Sequence, residues 1–262
     1  GKRMLTKGNL MFLEILANTN WERPVYVAVS VGSDEYLNLD KYLIQEGLAY
    51  RFTPFNWEKI QKDELKSKYP DIDVSKIPYQ IPIDSKLMYE NLMTKFKFGG
   101  METKGIYIDE NAMRMCLTHR RIFVNLANQL IEEGDTEKAM EVLKKADEFI
   151  LADNVPHDFQ SYSHLMAESY YQLDKDEKAD EIALELADKS LSYVDWTLSL
   201  SDSQLPNALS SLSYHFSMLR NIIAVMNQYD SKHTQDYMQK QKAYATMLER
   251  RIQKLKQDQQ GI

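Results

Sequence analysis

The sequence predicts a mostly α protein: a small N-terminal α/β (βαβ) element followed by an array of antiparallel helical hairpins. Three observations carry this. Only 9 Gly and 7 Pro interrupt 262 residues, which favours helix over strand. Four of the seven prolines, Pro54, Pro70, Pro78 and Pro82, lie in one 29-residue stretch and mark a junction. Beyond about residue 109 the apolar positions repeat with helical spacing, whereas before it short β-branched runs intervene. The parts expected are residues 1–54, a βαβ element with a leading helix; 55–108, a Pro-marked junction with one or two helices; and 109–262, the helical array.

Thr6 stands where an N-cap belongs, before a helix reaching about Asn18. Its apolar residues spread round the axis, so burial on most sides is expected. Pro24 opens the run Val25 to Val31, read as a strand, and Gly32-Ser33-Asp34 turns the chain into a helix carrying Tyr36, Leu39, Leu43 and Ile44. Gly47 closes that helix and a second strand runs from Leu48 to Thr53, the pattern of a parallel βαβ crossover. A short helix is expected over Trp57 to Lys68, and Asp84 caps another that ends at Gly99-Gly100. After a strand-like Ile106-Tyr107-Ile108, Asp109 caps a long helix to Glu133, stopped by Gly134.

From Arg120 to Phe149 the positions Phe123, Leu126, Ala127 and Leu130, the Gly134-Asp135 turn, and Ala139, Leu143 and Ala146 resemble a tetratricopeptide repeat, where small residues let two helices approach. Ala167, Tyr170, Tyr171, Ala179 and Ala187 repeat part of the pattern, with the extra length placed in the loop Ala152 to His157. Segments 206–228 and 231–256 complete a third hairpin.

Charge and chemistry exclude more than they assign. Residues 1–115 carry 16 basic and 16 acidic residues and the rest 16 and 23, so the net −7 lies in the C-terminal part and no basic footprint for nucleic acid exists. The five histidines never stand at metal-ligand spacing, and no metal, catalytic residue or cofactor is expected. Cys116 falls on an apolar helix face and reads as a buried thiol. The 16 tyrosines read first as fillers of helix seams, and second as contact area at an interface. Placing the repeat's inner-helix positions on this chain puts Arg121, Asn128, His164, Glu168 and Tyr171 on a concave face, the expected binding surface. That set lacks the paired lysines and asparagines that clamp a peptide carboxylate.

The blocks Asn20-Trp21-Glu22-Arg23-Pro24-Val25-Tyr26, Tyr36-Leu37-Asn38-Leu39 and Glu46-Gly47-Leu48-Ala49-Tyr50-Arg51 with Pro54 resemble the soluble C-terminal region of a bacterial polytopic membrane family similar to protein O-mannosyltransferases. Lys95 to Gly100, Tyr107 to Asn111 and Arg121 to Ala127 are similar to later blocks of that family. The resemblance implies a membrane glycosyltransferase with this part outside the bilayer, on the periplasmic side, or alternatively the cytoplasmic one. It also implies catalytic residues in the membrane half, none of which corresponds to a position here. Gly1 ahead of Lys2-Arg3-Met4 reads as an expression scar on a fragment of a longer chain. The function expected is a non-catalytic accessory domain binding an acceptor protein, glycoprotein or partner subunit. The alternative is a free-standing helical-repeat adaptor.

Overall fold

The computed structural model describes residues 4–260, with side chains described through Gln253. The chain is mostly helical and forms two compact units, residues 1–97 and 98–262. The stretch 55–97 belongs to the first unit, and 98–108 open the second.

In the first unit, helix α1 (Lys7–Asn18) begins at the expected cap. The Thr6 side chain accepts from the Asn9 N–H at 3.2 Å and the Asn9 side chain answers to the Thr6 N–H at 3.0 Å, a reciprocal capping box. Burial on most sides does not occur. Phe12 and Leu16 are half-buried and Asn9 is buried, while Leu10, Met11 and Ile15 are exposed.

The parallel βαβ reading is corrected. Strands β1 (Tyr26–Ala28), β2 (Leu43–Gln45) and β3 (Ala49–Phe52) form an antiparallel sheet in the order β1-β3-β2, with Val27 opposite Tyr50 and Ile44 opposite Arg51. The expected helix after Gly32 is two 3₁₀ turns, Ser33–Glu35 and Asp40–Tyr42, separated by Leu37 and Asn38 at φ 54° and 60°. Two consecutive left-handed residues end any α-helix. Leu43 and Ile44 therefore enter the core from a strand, where apolar spacing alone does not distinguish the two states. Gly47, at φ 130°, turns β2 directly into β3, and a Cβ there would meet the Phe96 ring at 3.3 Å.

Helix α2 (Trp57–Lys68) runs as expected, capped by Asn56, whose side chain accepts from Lys59 N–H at 3.0 Å. The open edge of β2 is closed from the far end of the unit. Gln45 N–H donates to Pro82 O at 2.8 Å, and Asp84 N–H donates to Gln45 O at 2.9 Å. Asp84 then caps α3 (Ser85–Glu90), which continues as one π turn to Lys95. Asn91 of that turn donates to Glu46 O at 2.8 Å, and Leu92 and Met88 are fully buried.

In the second unit the strand expected at 106–108 is absent, and Tyr107 projects into solvent. Helices α4 (Glu110–Glu132) and α5 (Thr136–Phe149), α6 (Ser163–Gln172) and α7 (Asp176–Ser199), and α8 (Leu205–Gln228) and α9 (Thr234–Gln260) form three hairpins. Successive hairpins also touch through α4 with α6 and α7 with α8.

All three hairpins turn by one device. Gly134, Asp174 and Asp230 follow the helix ends at φ 84°, 55° and 53°. The next N–H in each case reaches back to close a 6→1 bond: Asp135 to Leu130 O at 2.8 Å, Lys175 to Tyr170 O at 2.9 Å, Ser231 to Met226 O at 2.9 Å. This is the Schellman stop, and only the first uses the residue that the left-handed position favours. Asp174 is exposed, so Asp174→Gly should relieve the strain and raise stability by about 0.5–1 kcal/mol. An unchanged or lower urea midpoint would contradict this.

The seams are packed with small residues as expected. Ala127, Ala139, Ala167 and Ala179 have no exposed surface. Ala139→Trp should overfill the α4–α5 seam and cost about 1–3 kcal/mol or more in denaturant melts, and a loss near zero would refute this packing. The tyrosines fill seams too, and the acidic residues serve them. Tyr170 donates its hydroxyl to Asp147, Tyr171 to Asp180 at 2.7 Å, and Tyr237 to Asp188 at 2.5 Å. Each phenol ties one helix to a carboxylate on a neighbour, so part of the C-terminal negative charge is structural. Burial raises the pKa of all three phenols, and the carboxylates reinforce the shift.

Candidate functional site

Two surfaces come forward, one in each unit. On the helical array, the five residues expected on the concave face separate into two groups. Arg121 lies over the Tyr162 ring, its guanidinium 5.7 Å from the centroid, and His164 sits between Phe159 at 5.2 Å and Tyr162 at 6.0 Å. Tyr162 takes the left-handed conformation at φ 57°, which ends the 3₁₀ turn Phe159–Ser161 and starts α6. These four side chains form one cationic and aromatic patch. Burial depresses the pKa of His164, so its imidazole is neutral near pH 7. Glu168, one turn further along α6, is half-buried.

Asn128 and Tyr171 are taken up by packing. Asn128 accepts from the Ser169 hydroxyl, joining α4 to α6. Tyr171 is 4% exposed, stacked on Tyr229 with centroids 5.0 Å apart and bound to Asp180. A tyrosine buried in this way offers no open contact area, so Tyr171 leaves the expected surface set.

The neighbour that sequence reasoning passed over is Arg120. It is 1% exposed and donates to three main-chain carbonyls, Pro156 O at 3.1 Å, Ile150 O at 2.9 Å and Val155 O at 2.6 Å. Burial lowers its pKa to about 10, so it remains charged at neutral pH. His157 lies in the same buried loop. Its Nδ1 is 3.1 Å from Ser163 Oγ, and its main-chain N–H donates to Glu185 at 2.9 Å. Asn154 holds the preceding segment, donating to Met101 O and Thr103 O at 3.0 and 2.7 Å and accepting from Gly105 N–H at 2.8 Å. These groups are fasteners inside the protein, remote from solvent.

The second surface is an open cleft of about 580 Å³ in the first unit. Its walls come from the segment after α1, from β3 and from the start of α2. Phe52 anchors it, with Phe12 edge-on at 6.2 Å, Tyr42 at 5.9 Å and Trp21 stacked at 5.8 Å with planes 16° apart. Asn20 and Trp21 both lie at positive φ, 47° and 60°, in a turn closed by Glu22 N–H to Thr19 O at 3.1 Å. A bulky residue in this region is strained. Trp21 is nonetheless 55% exposed, and Phe55, which also lines the cleft, is 56% exposed. Trp57 is fixed by its indole N–H, which donates to Thr53 Oγ1 at 2.9 Å, and Thr53 in turn donates to Tyr42 O at 3.0 Å.

The polar groups of the cleft are also positioned. Glu46 is buried, takes the Tyr26 hydroxyl on Oε2 at 3.0 Å and holds Arg51 Nε on Oε1 at 2.6 Å. Asp84 faces the same cleft, with one carboxylate oxygen engaged as the α3 cap. The Trp21 to Pro24 block was prominent in the sequence, but its strained backbone had no signal there.

Among the described residues no group of three or more His, Cys, Asp and Glu side chains could hold a metal ion, and no helix is long and apolar enough to cross a membrane. Residues 1–73, which contain most of the cleft, match the family model of TMEM260-associated domain 2, a domain associated with a membrane protein. No curated protein and no solved structure matches the chain.

Proposed function

We propose that this chain is a non-catalytic, soluble accessory region of a membrane-embedded, glycosyltransferase-like protein, and that its tetratricopeptide-like array binds an acceptor protein or a partner subunit on the periplasmic side. The observation that carries the reading is the match of residues 1–73 to a domain associated with a membrane protein. The array supports the binding role. Two hairpins built on the same alanine seams bring inner helices α4 and α6 together, and their Arg121, Tyr162 and His164 form one patch of the kind enriched at protein interfaces.

A photo-crosslinking residue at position 162 tests it, introduced in the parent protein in its native membrane, with the exposed Lys144 of α5 as the control position. The expected result is one discrete crosslinked species at 162 and none at 144, its partner being a secreted protein or a subunit of the same membrane complex. Equal labelling at both positions, or none at 162, would count against the reading.

A further inference from the structure

We propose that the cleft of the first unit is a saccharide site, in which a neutral sugar ring stacks on Trp21 and its hydroxyls pair with Arg51 and Asp84. The inference stands on the cleft alone and does not depend on the array or on a transferase parent.

Its first support is Trp21. A positive-φ backbone holds a large aromatic residue where over half its surface meets water. Trp21 stacks on Phe52 and lines the cleft. A flat, rigid ring backed by a second ring suits a ligand with a flat face of polarised C–H groups, because the electron-rich π face attracts them.

The second support is the polar set. Arg51 Nε lies 2.6 Å from the carboxylate of Glu46, which is itself buried and bonded to Tyr26, an ion pair that keeps the guanidinium beside the cleft. No other protein partner takes its terminal amino groups among the described residues, and they form a donor fork. Asp84 supplies the acceptor, since its cap bond uses one oxygen only. A ligand that satisfies both must accept and donate, as the hydroxyls of a sugar do.

Charge and donor inventory decide against other ligands. An anion would face Glu22, Asp84 and an arginine already paired with Glu46; a cation would face Arg23 and Arg51. A proline-rich peptide needs indole N–H donors for its carbonyls and offers few N–H groups to Asp84.

Titration of the full chain with cellotetraose, maltotetraose and mannotetraose, followed by tryptophan fluorescence and by protein NMR, tests the proposal. At least one of the three should bind saturably at about millimolar concentration. Trp21→Ala should weaken that binding about tenfold or more, Arg51→Lys about fivefold by losing the fork while keeping the charge, and Trp196→Phe in the other unit should leave it unchanged. Should Trp21→Ala unfold, Phe55→Ala in the same cleft is the replacement, with the same direction of effect. No response to any of the three sugars at about 10 mM, or binding indifferent to all the cleft variants, overturns the proposal. Saturable binding of decaproline that Trp21→Ala abolishes, without sugar binding, also overturns it and assigns the cleft to peptides.

Discussion

Replacing Arg120 by methionine lowers the stability of the second unit by about 3 kcal/mol. The change keeps the apolar stem and removes the guanidinium, leaving the carbonyls of Ile150, Val155 and Pro156 without their donor. A buried carbonyl stripped of its partner costs about 1–3 kcal/mol. Part of that sum returns, because the variant no longer buries a charge that has no carboxylate in direct contact. Urea melts give the total. Amide exchange over residues 150–163 identifies its origin, since the loss of protection should concentrate there. A change below about 1 kcal/mol would mean the loop is held by its apolar residues alone.

Acid is the second strong perturbation. Burial is the main cause that drives His157 down to about 3 from an ordinary 6.5, and the charges of Arg120, Lys178 and Lys189 add to it. A histidine depressed in the fold binds its proton more readily when unfolded. Its stabilising effect is therefore complete above about pH 6.5 and is lost progressively as pH falls from there toward 3. The slope is about 1.4 kcal/mol per pH unit within that window, or about 2 kcal/mol between pH 6.5 and 5. Burial depresses His164 and His215 as well and adds in the same direction. Asp147, raised by burial, acts oppositely, because the fold takes up its proton first. Chemical melts at pH 7.5 and 5 should show the decline, and His157→Asn should remove most of it. An equal decline in the variant would place the acid sensitivity elsewhere.

How far the sequence discloses this protein depends on the kind of residue asked. Caps were legible, since Thr6, Asp84 and Asp109 have short acceptors directly before apolar periodicity, and each begins the helix it announces. Alanine seams were legible for the same local reason. The sheet was not, because Tyr36 to Ile44 satisfies helix and strand alike, and the decision came from Leu37 and Asn38 adopting a conformation their side chains do not advertise. The break between 228 and 231 was legible, but the left-handed residues Asp174 and Asp230 that make the stops carry no glycine to announce them. Arg120 and Arg121 are neighbours in sequence but about 100° apart round the helix, and one is buried while the other covers a tyrosine. Of the expected surface, Arg121, His164 and Glu168 stay at or near it, whereas Asn128 and Tyr171 are drawn into contacts with Ser169 and Asp180, which no local pattern reveals.

The way β2 is closed sets the order in which the chain acquires structure. Its hairpin partner β3 is only a few residues away, but Gln45 and Glu46 complete their bonding with Pro82, Asp84 and Asn91, some forty residues later. During synthesis the first unit must wait for that segment before its edge is sealed, and the cost of closing so long a loop is met before its contacts repay it. The helical pairs downstream meet across turns of a few residues and can form as each pair emerges. The first unit is thus complete only once Asn91 has been made, and a chain halted near residue 80 presents an open strand edge that the finished molecule conceals.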